Sequence, residues 1–260
     1  MNSPDIIPTI SMGGIKVSRL GYKATLSWIE QRLKSPIFTQ VATANMDFLN
    51  LCRRHTDLPG ILNEQCDLVT ADGMPLVWLS WLVGKPIAER VAGSDLLTEV
   101  VQLAAKQNLR VYFLGGDERA TTPAINVLQT RIPGLNVVGM NCDRFDENNE
   151  TNMKGIVDDV RASKTDVLFV ALGCPKQERF IAKYRDVLGV RFAMGIGGSF
   201  DFISGRRLRA PKWMQRTGLE WVCRMAQEPR RLAPRYLANF VCLLRILGGI
   251  IGGGTLKPLS

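Results

Sequence analysis

Between residues 38 and 198 short apolar runs alternate with amphipathic stretches, and each apolar run empties into a small or turn-forming residue. That rhythm marks βα units on a largely parallel sheet, because a strand covered by helices on both faces must be apolar throughout. Strands are expected at 38–44, 68–71, 110–114, 135–140, 166–172 and 190–195, and the best formed is Asp166-Val167-Leu168-Phe169-Val170-Ala171-Leu172. Asn45 is placed to cap a helix running to about Arg54. Further helices are expected from Gly73 through Leu82 and at 95–107, 122–131, 152–163 and 176–184. Thr43, Asp72, Gly115, Gly173 and Gly197 all fall at strand carboxyl ends. A doubly wound sheet binds its ligands there. The expected fold is α/β: a Rossmann-like, doubly wound, mostly parallel sheet.

The rhythm stops near residue 205, and the charge changes with it. Residues 1–205 hold 22 basic and 22 acidic side chains, whereas residues 206–245 hold ten basic ones against Glu220 and Glu228 alone, a local charge of +8. Lys257 completes the net +9. The chain thus divides into an α/β body, 1–205, and a basic helical appendage, 206–260. Its 260 residues, 46% hydrophobic and 22% charged, suffice for a large core and exclude a disordered, collagenous or fully membrane-embedded protein.

Pro211 suits the start of a helix to about Gln227, ended by Pro229. A second helix is expected from Arg230 to Gly248-Gly249, with Pro234 inside its first turn or kinking it. The run from Tyr236 to Ile251 has only 16 residues and contains Asn239 and Arg245, too short and polar for a membrane span. Basic residues interleaved with Trp213, Trp221, Tyr236 and Phe240 fit a helix lying in a membrane interface, and equally a helical lid on the body. The charge itself points to phosphates, on nucleic acid, on an anionic membrane or on a substrate, or to a plain solvated face.

Other chemistries find little support. The six cysteines are scattered without a C-x-x-C, and the one histidine, His55, sits near a helix end, so neither a zinc site nor a Ser-His or Cys-His apparatus is expected. Met1 to Gly14 has no signal-peptide pattern, which suggests a reducing cytoplasm with free thiols. Gly195-Ile196-Gly197-Gly198 can cradle a phosphate with backbone N–H groups, but G-x-G-x-x-G and G-x-x-x-x-G-K-[ST] are both missing. That weighs against a nucleotide-sugar epimerase or dehydrogenase. Asp-x-Asp, the usual metal clamp for a sugar diphosphate, is missing too, which turns attention to the arginines as the diphosphate's counter-charge.

Several pieces occur together in a telling order. Thr43-Ala44-Asn45 precedes Ala71-Asp72-Gly73, then Glu89-Arg90-Val91-Ala92-Gly93-Ser94-Asp95-Leu96 and Leu172-Gly173-Cys174-Pro175-Lys176-Gln177-Glu178. Gly195-Ile196-Gly197-Gly198-Ser199-Phe200-Asp201 follows, then Arg209-Ala210-Pro211-Lys212-Trp213, Gly218-Leu219-Glu220-Trp221 and Glu228-Pro229-Arg230-Arg231. From about residue 15 to 240 the chain resembles the WecG/TagA/CpsF family, glycosyltransferase family 26.

The resemblance implies an inverting, metal-independent transferase that passes a sugar from a UDP-sugar to a polyprenyl-diphosphate-linked sugar, in bacterial surface-polysaccharide assembly. By family position Asp72 is the general base; its other reading is a helix cap or Asx-turn before Gly73. Thr43 and Asn45 belong in the pocket by that position, with capping and strand-end hydrogen bonds as the alternative. Gln177 is implicated in substrate contact, its neighbour Glu178 in a structural ion pair, and Gly197 and Gly198 in leaving room for the nucleotide. Arg224 and Arg231 are the appendage arginines expected at the diphosphate. The chain departs from the family's basic run at Pro234, so Arg235 stays open as a third. No metal or cofactor is expected. The expected partners are the donor, the lipid-linked acceptor and an anionic membrane met by the appendage, at the cytoplasmic face of the inner membrane. A homo-oligomer is compatible with the sequence. A nucleic-acid-binding protein with a basic helical arm is the alternative from the charge alone, though no nucleic-acid module is recognisable.

Overall fold

A computed structural model describes residues 7–251. The last stretch of the expected appendage, 252–260, lies outside them, as do the first residues of the leader reading.

The chain opens with a hairpin, β1 (Thr9–Met12) and β2 (Ile15–Ser18), paired antiparallel across Gly13-Gly14. Helix α1 (Tyr22–Lys34) leads into β3 (Thr39–Ala44), followed by α2 (Met46–Cys52). A short turn, α3 (Leu58–Gly60), continues as a π-helical turn at Ile61–Gln65 and delivers the chain to β4 (Leu68–Ala71). Then come α4 (Met74–Leu82), α5 (Gly93–Lys106), β5 (Arg110–Gly115), α6 (Glu118–Arg131), β6 (Asn136–Asn141) and α7 (Glu150–Ala162). The body ends with β7 (Val167–Ala171), α8 (Lys176–Tyr184), β8 (Phe192–Gly195) and α9 (Ser199–Ile203). The basic segment folds as α10 (Lys212–Arg216), α11 (Glu220–Gln227) and α12 (Pro229–Ile251).

Six strands form one parallel sheet in the order β4-β3-β8-β7-β5-β6, flanked by helices in a Rossmann-like arrangement. Alternate residues serve opposite faces, as the strand period of two requires. Val111, Phe113 and Phe169 pack among α1, α5 and α6, whereas Tyr112, Leu114, Leu168 and Val170 pack under α7 and α8. Phe113 stacks on Phe169 at 5.5 Å between centroids and meets Phe200 of α9 edge-on at 5.6 Å. Ala42, Ala44, Val69 and Ala71 of β3 and β4 join the hairpin, α2, α4 and the Cys242 and Ile246 side chains of α12 in a third cluster. The long helix is therefore sewn into the body by apolar packing.

Chain order decides where a cleft opens. From β5 the chain winds outward to β6, whereas from β7 it returns inward to β8, so connections diverge between β5 and β7. Loops that leave in opposite directions leave a gap beyond the strands' carboxyl ends.

The body's strands and helices fall where the apolar rhythm puts them. The short α3 with its π-helical turn, and α9, were not expected, and two larger features differ. The hairpin and α1 precede the region where the rhythm is readable, and the single helix expected from Pro211 to Gln227 is two, α10 and α11. Gly218 separates them at φ +71°, a left-handed conformation that ends one helix and redirects the next. Pro234 lies inside α12, whose first turn starts at Pro229.

Candidate active site

The loops after β3, β4, β5, β7 and β8 line one side of a cleft of about 900 Å³, and α11 and α12 line the other. Thr43, Asn45, Asp72, Gln177, Gly197, Gly198, Arg224 and Arg231 all border it. His55 does not, and its Nδ1 lies 3.2 Å from Arg179 instead.

Asp72 leaves the end of β4 with its N–H donated to Ala44 O at 2.7 Å, which prolongs the β3–β4 ladder by one residue. Its Oδ2 accepts the N–H of Gly93, the first residue of α5, at 3.2 Å. The carboxylate thus faces the positive end of a helix dipole. The helix that follows it in sequence, α4, has Gly73 at its cap and no side-chain cap, so Asp72 does not serve as one. Burial pushes the Asp72 carboxyl above the usual carboxylate range. Arg90, then the Gly93 N–H and Arg224, pull it back down. Burial and the cationic neighbours thus act on the Asp72 carboxyl in opposite directions, with burial the larger.

Thr43, one residue before the end of β3, is almost wholly buried against Gly93. Asn45 does both things its position allows: it borders the cleft, and its Oδ1 caps α2 by accepting from Asp47 N–H (2.9 Å) and Phe48 N–H (3.4 Å).

Gln177 and Glu178 sit in the first turn of α8 and work as a pair. Gln177 Oε1 accepts two loop N–H groups, from Gly173 at 3.2 Å and Gly197 at 3.1 Å, so it ties the β7 and β8 loops together. Its Nε2 donates to Glu178 Oε1 at 2.7 Å. Both ends of the Gln177 amide are thereby spent on the protein. The expected ion pair of Glu178 is absent: no basic side chain among the described residues pairs with it. The reason is its burial, 1% exposed between α8 and the sheet, where burial raises its carboxyl to about 7. Such a group keeps its proton more readily than it finds a cation. Gly195 makes room for the pair, since a Cβ there would fall 2.4 Å from Gln177 Nε2 and 2.9 Å from Glu178 Oε1.

The arginines come in sets gathered by the two acids of the basic segment. Glu220 of α11 holds Arg90 of the body at 2.5 Å and lies 3.5 Å from Arg224 Nε, which makes no hydrogen bond although it is buried. The Arg224 guanidinium lies 4.7 Å above the Phe202 ring. Glu228 holds Arg207 at 2.6 Å and pairs with Arg231, while Arg207 also reaches Asp201 at 3.1 Å. Arg235 borders the cleft and pairs with Asp47 of α2 at 2.8 Å, pinning α12 to the body. Five arginines, Arg90, Arg207, Arg224, Arg231 and Arg235, therefore line the cleft that also holds Asp72. Arg90 and Arg207 carry no expected role, although Arg90 stands inside the Glu89-to-Leu96 stretch, between strand end and helix start. Among the described residues no group of three His, Cys, Asp or Glu side chains is placed to hold a metal ion, and no helix is long and apolar enough to cross a membrane.

A cleft in which Asp72, alone of its five lining carboxylates, makes no ion pair among the described residues, beside a set of guanidinium groups, can take a proton from a hydroxyl and hold a diphosphate next to it. Comparison with known proteins identifies the family. Residues 10–253 match the family model described as glycosyl transferase WecG/TagA/CpsF family. The chain is 36% identical over 191 residues to an N-acetylglucosaminyldiphosphoundecaprenol N-acetyl-beta-D-mannosaminyltransferase of Bacillus spizizenii, covering 74% of this chain and 72% of that one. A protein of the same description from Bacillus subtilis is 28% identical over 204 residues, 78% of this chain and 76% of that one. Another from Staphylococcus aureus is 29% identical over 192 residues, 74% and 73%.

Proposed function

Because the chain belongs to the WecG/TagA/CpsF family of glycosyl transferases, we propose that its cleft moves an N-acetylhexosamine, N-acetylmannosamine first among candidates, from UDP to a polyprenyl-diphosphate-linked sugar. The polymer served is a bacterial surface polysaccharide. The observation that carries the reading is Asp72: a carboxylate whose ionisation is balanced by burial against Arg90 and a helix terminus, in the cleft where the arginines gather.

The step is a single displacement. The acceptor hydroxyl oxygen bonds to the anomeric carbon as the bond from that carbon to the UDP oxygen breaks, with inversion, and the hydroxyl proton passes to Asp72. A base so placed contributes roughly 10²–10⁴ in rate. UDP leaves with one more negative charge on its terminal phosphate. Arg224, whose Nε is buried without a hydrogen bond, and Arg231 meet that charge, so no metal is required. To do so they must give up Glu220 and Glu228. Gln177 acts through the Gly173 and Gly197 loops it joins, shaping the nucleotide's bed with Gly197 and Gly198, and Thr43 and Asn45 border the acceptor's sugar. The appendage meets the anionic inner face of the membrane, where each basic residue near the surface contributes about 1 kcal/mol.

The test is UDP release by purified protein from a panel of UDP-sugars, with a synthetic polyprenyl-diphosphate-linked N-acetylglucosamine and EDTA throughout. Release that needs both one donor and the lipid-linked acceptor is expected. Release abolished by EDTA would remove the arginine account, and silence on every donor and acceptor would remove the reading.

A further inference from the structure

The helix launched from the Asp72 turn has an unusual surface. α4 contains no charged residue, and Trp78, Trp81 and Leu82, spaced i, i+3 and i+4 on one face, are 40%, 55% and 62% exposed. Its other side, with Leu76, Val77 and Leu79, is wholly buried. A helix half in water ordinarily turns charge outward; this one turns out two indoles and a leucine, followed by the exposed Lys85. The patch does not end with α4. The Trp78 ring lies against Gly218, at the joint of α10 and α11, where a Cβ would come within 2.5 Å of it. On either side of that joint Trp213, Leu219, Trp221 and Val222 are exposed, Trp221 where it borders the cleft against Tyr236, and Lys212 and Arg216 are exposed among them.

We infer that the C-terminal half of α4 is a second membrane-docking element, set into the headgroup region of an anionic bilayer beside the basic appendage. This rests on the proposed reading in that the acceptor is lipid-linked. Indoles flanked by lysine and arginine are what the membrane interface selects, with rings at headgroup level and cations on the phosphates. A second copy of the chain is the rival occupant, and charge argues against it. A two-fold interface through this patch sets the same surface against itself, and here that brings the exposed Lys85, Lys212 and Arg216 of two net-basic segments together. Geometry gives the docking a use. The nine residues of α4 span about 13 Å, with Asp72 just before its start and the exposed indoles in its second half. The headgroup layer is roughly 5–8 Å thick on each side of a bilayer. Anchored by its far end, α4 stands the base clear of that layer, within reach of a sugar carried on a diphosphate at the surface.

The test is co-sedimentation of the full chain with vesicles of phosphatidylglycerol and phosphatidylethanolamine, comparing wild type with a variant carrying Trp81→Glu and Leu82→Glu. Neither residue borders the cleft. The partition coefficient is expected to fall roughly tenfold or more, with the thermal transition unchanged and binding restored by Trp81→Phe with Leu82→Ile. If the glutamates unfold α4, a Trp81→Gln, Leu82→Gln pair serves instead. Undiminished vesicle binding by a folded variant overturns the inference. So does a wild-type dimer that the variant splits while both bind vesicles equally, because a second copy then covers the face. UDP release, measured separately, distinguishes failure of this inference from failure of the transferase reading.

Discussion

Whether Asp72 can take a proton depends on a balance between burial and Arg90, and the balance has a readable sign. A cation favours the charged carboxylate. Replacing Arg90 with Met should therefore raise the Asp72 pKa further and move the acid limb of the kcat/KM profile to higher pH. An unmoved limb would mean that Arg90 acts only through Glu220. Glu178 makes a different prediction. Its pKa rises from 4.5 in the unfolded chain to about 7 in the fold, so the fold binds the proton more tightly. Stability from this group is whole below pH 4.5 and is lost as pH rises through 7. Glu178→Gln keeps the acceptor for Gln177 without the ionisation. Relative to it, wild type should lose on the order of 3 kcal/mol between pH 4.5 and 8. Urea unfolding of the two proteins at both pH values measures this; parallel curves would contradict it.

Elements carry the next level of the argument. The Gln177–Glu178 pair joins α8 to the β7 and β8 loops only because Gly195 leaves it space. Gly195→Ala should cost roughly 1–3 kcal/mol by overpacking, read as a lowered melting temperature, with transfer falling as the loops part. The six sheet strands and the longer body helices are readable from residues 38 to 195, because a parallel sheet buried on both faces writes itself as continuous apolar runs; the short turns at Leu58–Gln65 and Ser199–Ile203 are not. The hairpin was not read from that pattern, since its antiparallel strands mix exposed with buried residues where β4 and β8 are buried throughout; Gly13-Gly14 between alternating residues is the signal that marks it. The α10–α11 break was missed for a physical reason too. One glycine in a helical pattern is tolerated unless a neighbour needs the space, and Trp78, over a hundred residues away, is that neighbour.

At the scale of the molecule, the basic segment looks in sequence like a free charged arm and in the fold is a wall of the cleft. Its two acids hold arginines from both sides of the cleft, and Asp117, Asp201, Asp95 and Asp47 of the body pair with Arg206, Arg207, Arg209 and Arg235, so part of the +8 is met by the body. Asp72 and Thr43 were legible as strand-end residues and Asn45 as a helix cap, and the appendage arginines only through the family's order of motifs. Arg90 and Arg207 were not, because the partners that give them a role come from the appendage, and spacing along the chain does not report such contacts. If Arg224 and Arg231 hold the departing diphosphate, Arg224→Met or Arg231→Met should each lower kcat/KM roughly ten- to a hundredfold while leaving the thermal transition within a few degrees. Unchanged kinetics in both would leave the arginines to the membrane alone.

The central claim is that one carboxylate, Asp72, does the proton transfer in a cleft whose arginines replace a metal. The most direct measurement takes Asp72→Asn, which keeps the shape and an acceptor for the Gly93 N–H, and reads UDP-sugar binding by calorimetry beside single-turnover transfer in EDTA. Binding should be retained within a few-fold and the chemical step should fall by roughly 10²–10⁴. Transfer at the wild-type rate would contradict the account and send the search for the base elsewhere in the cleft.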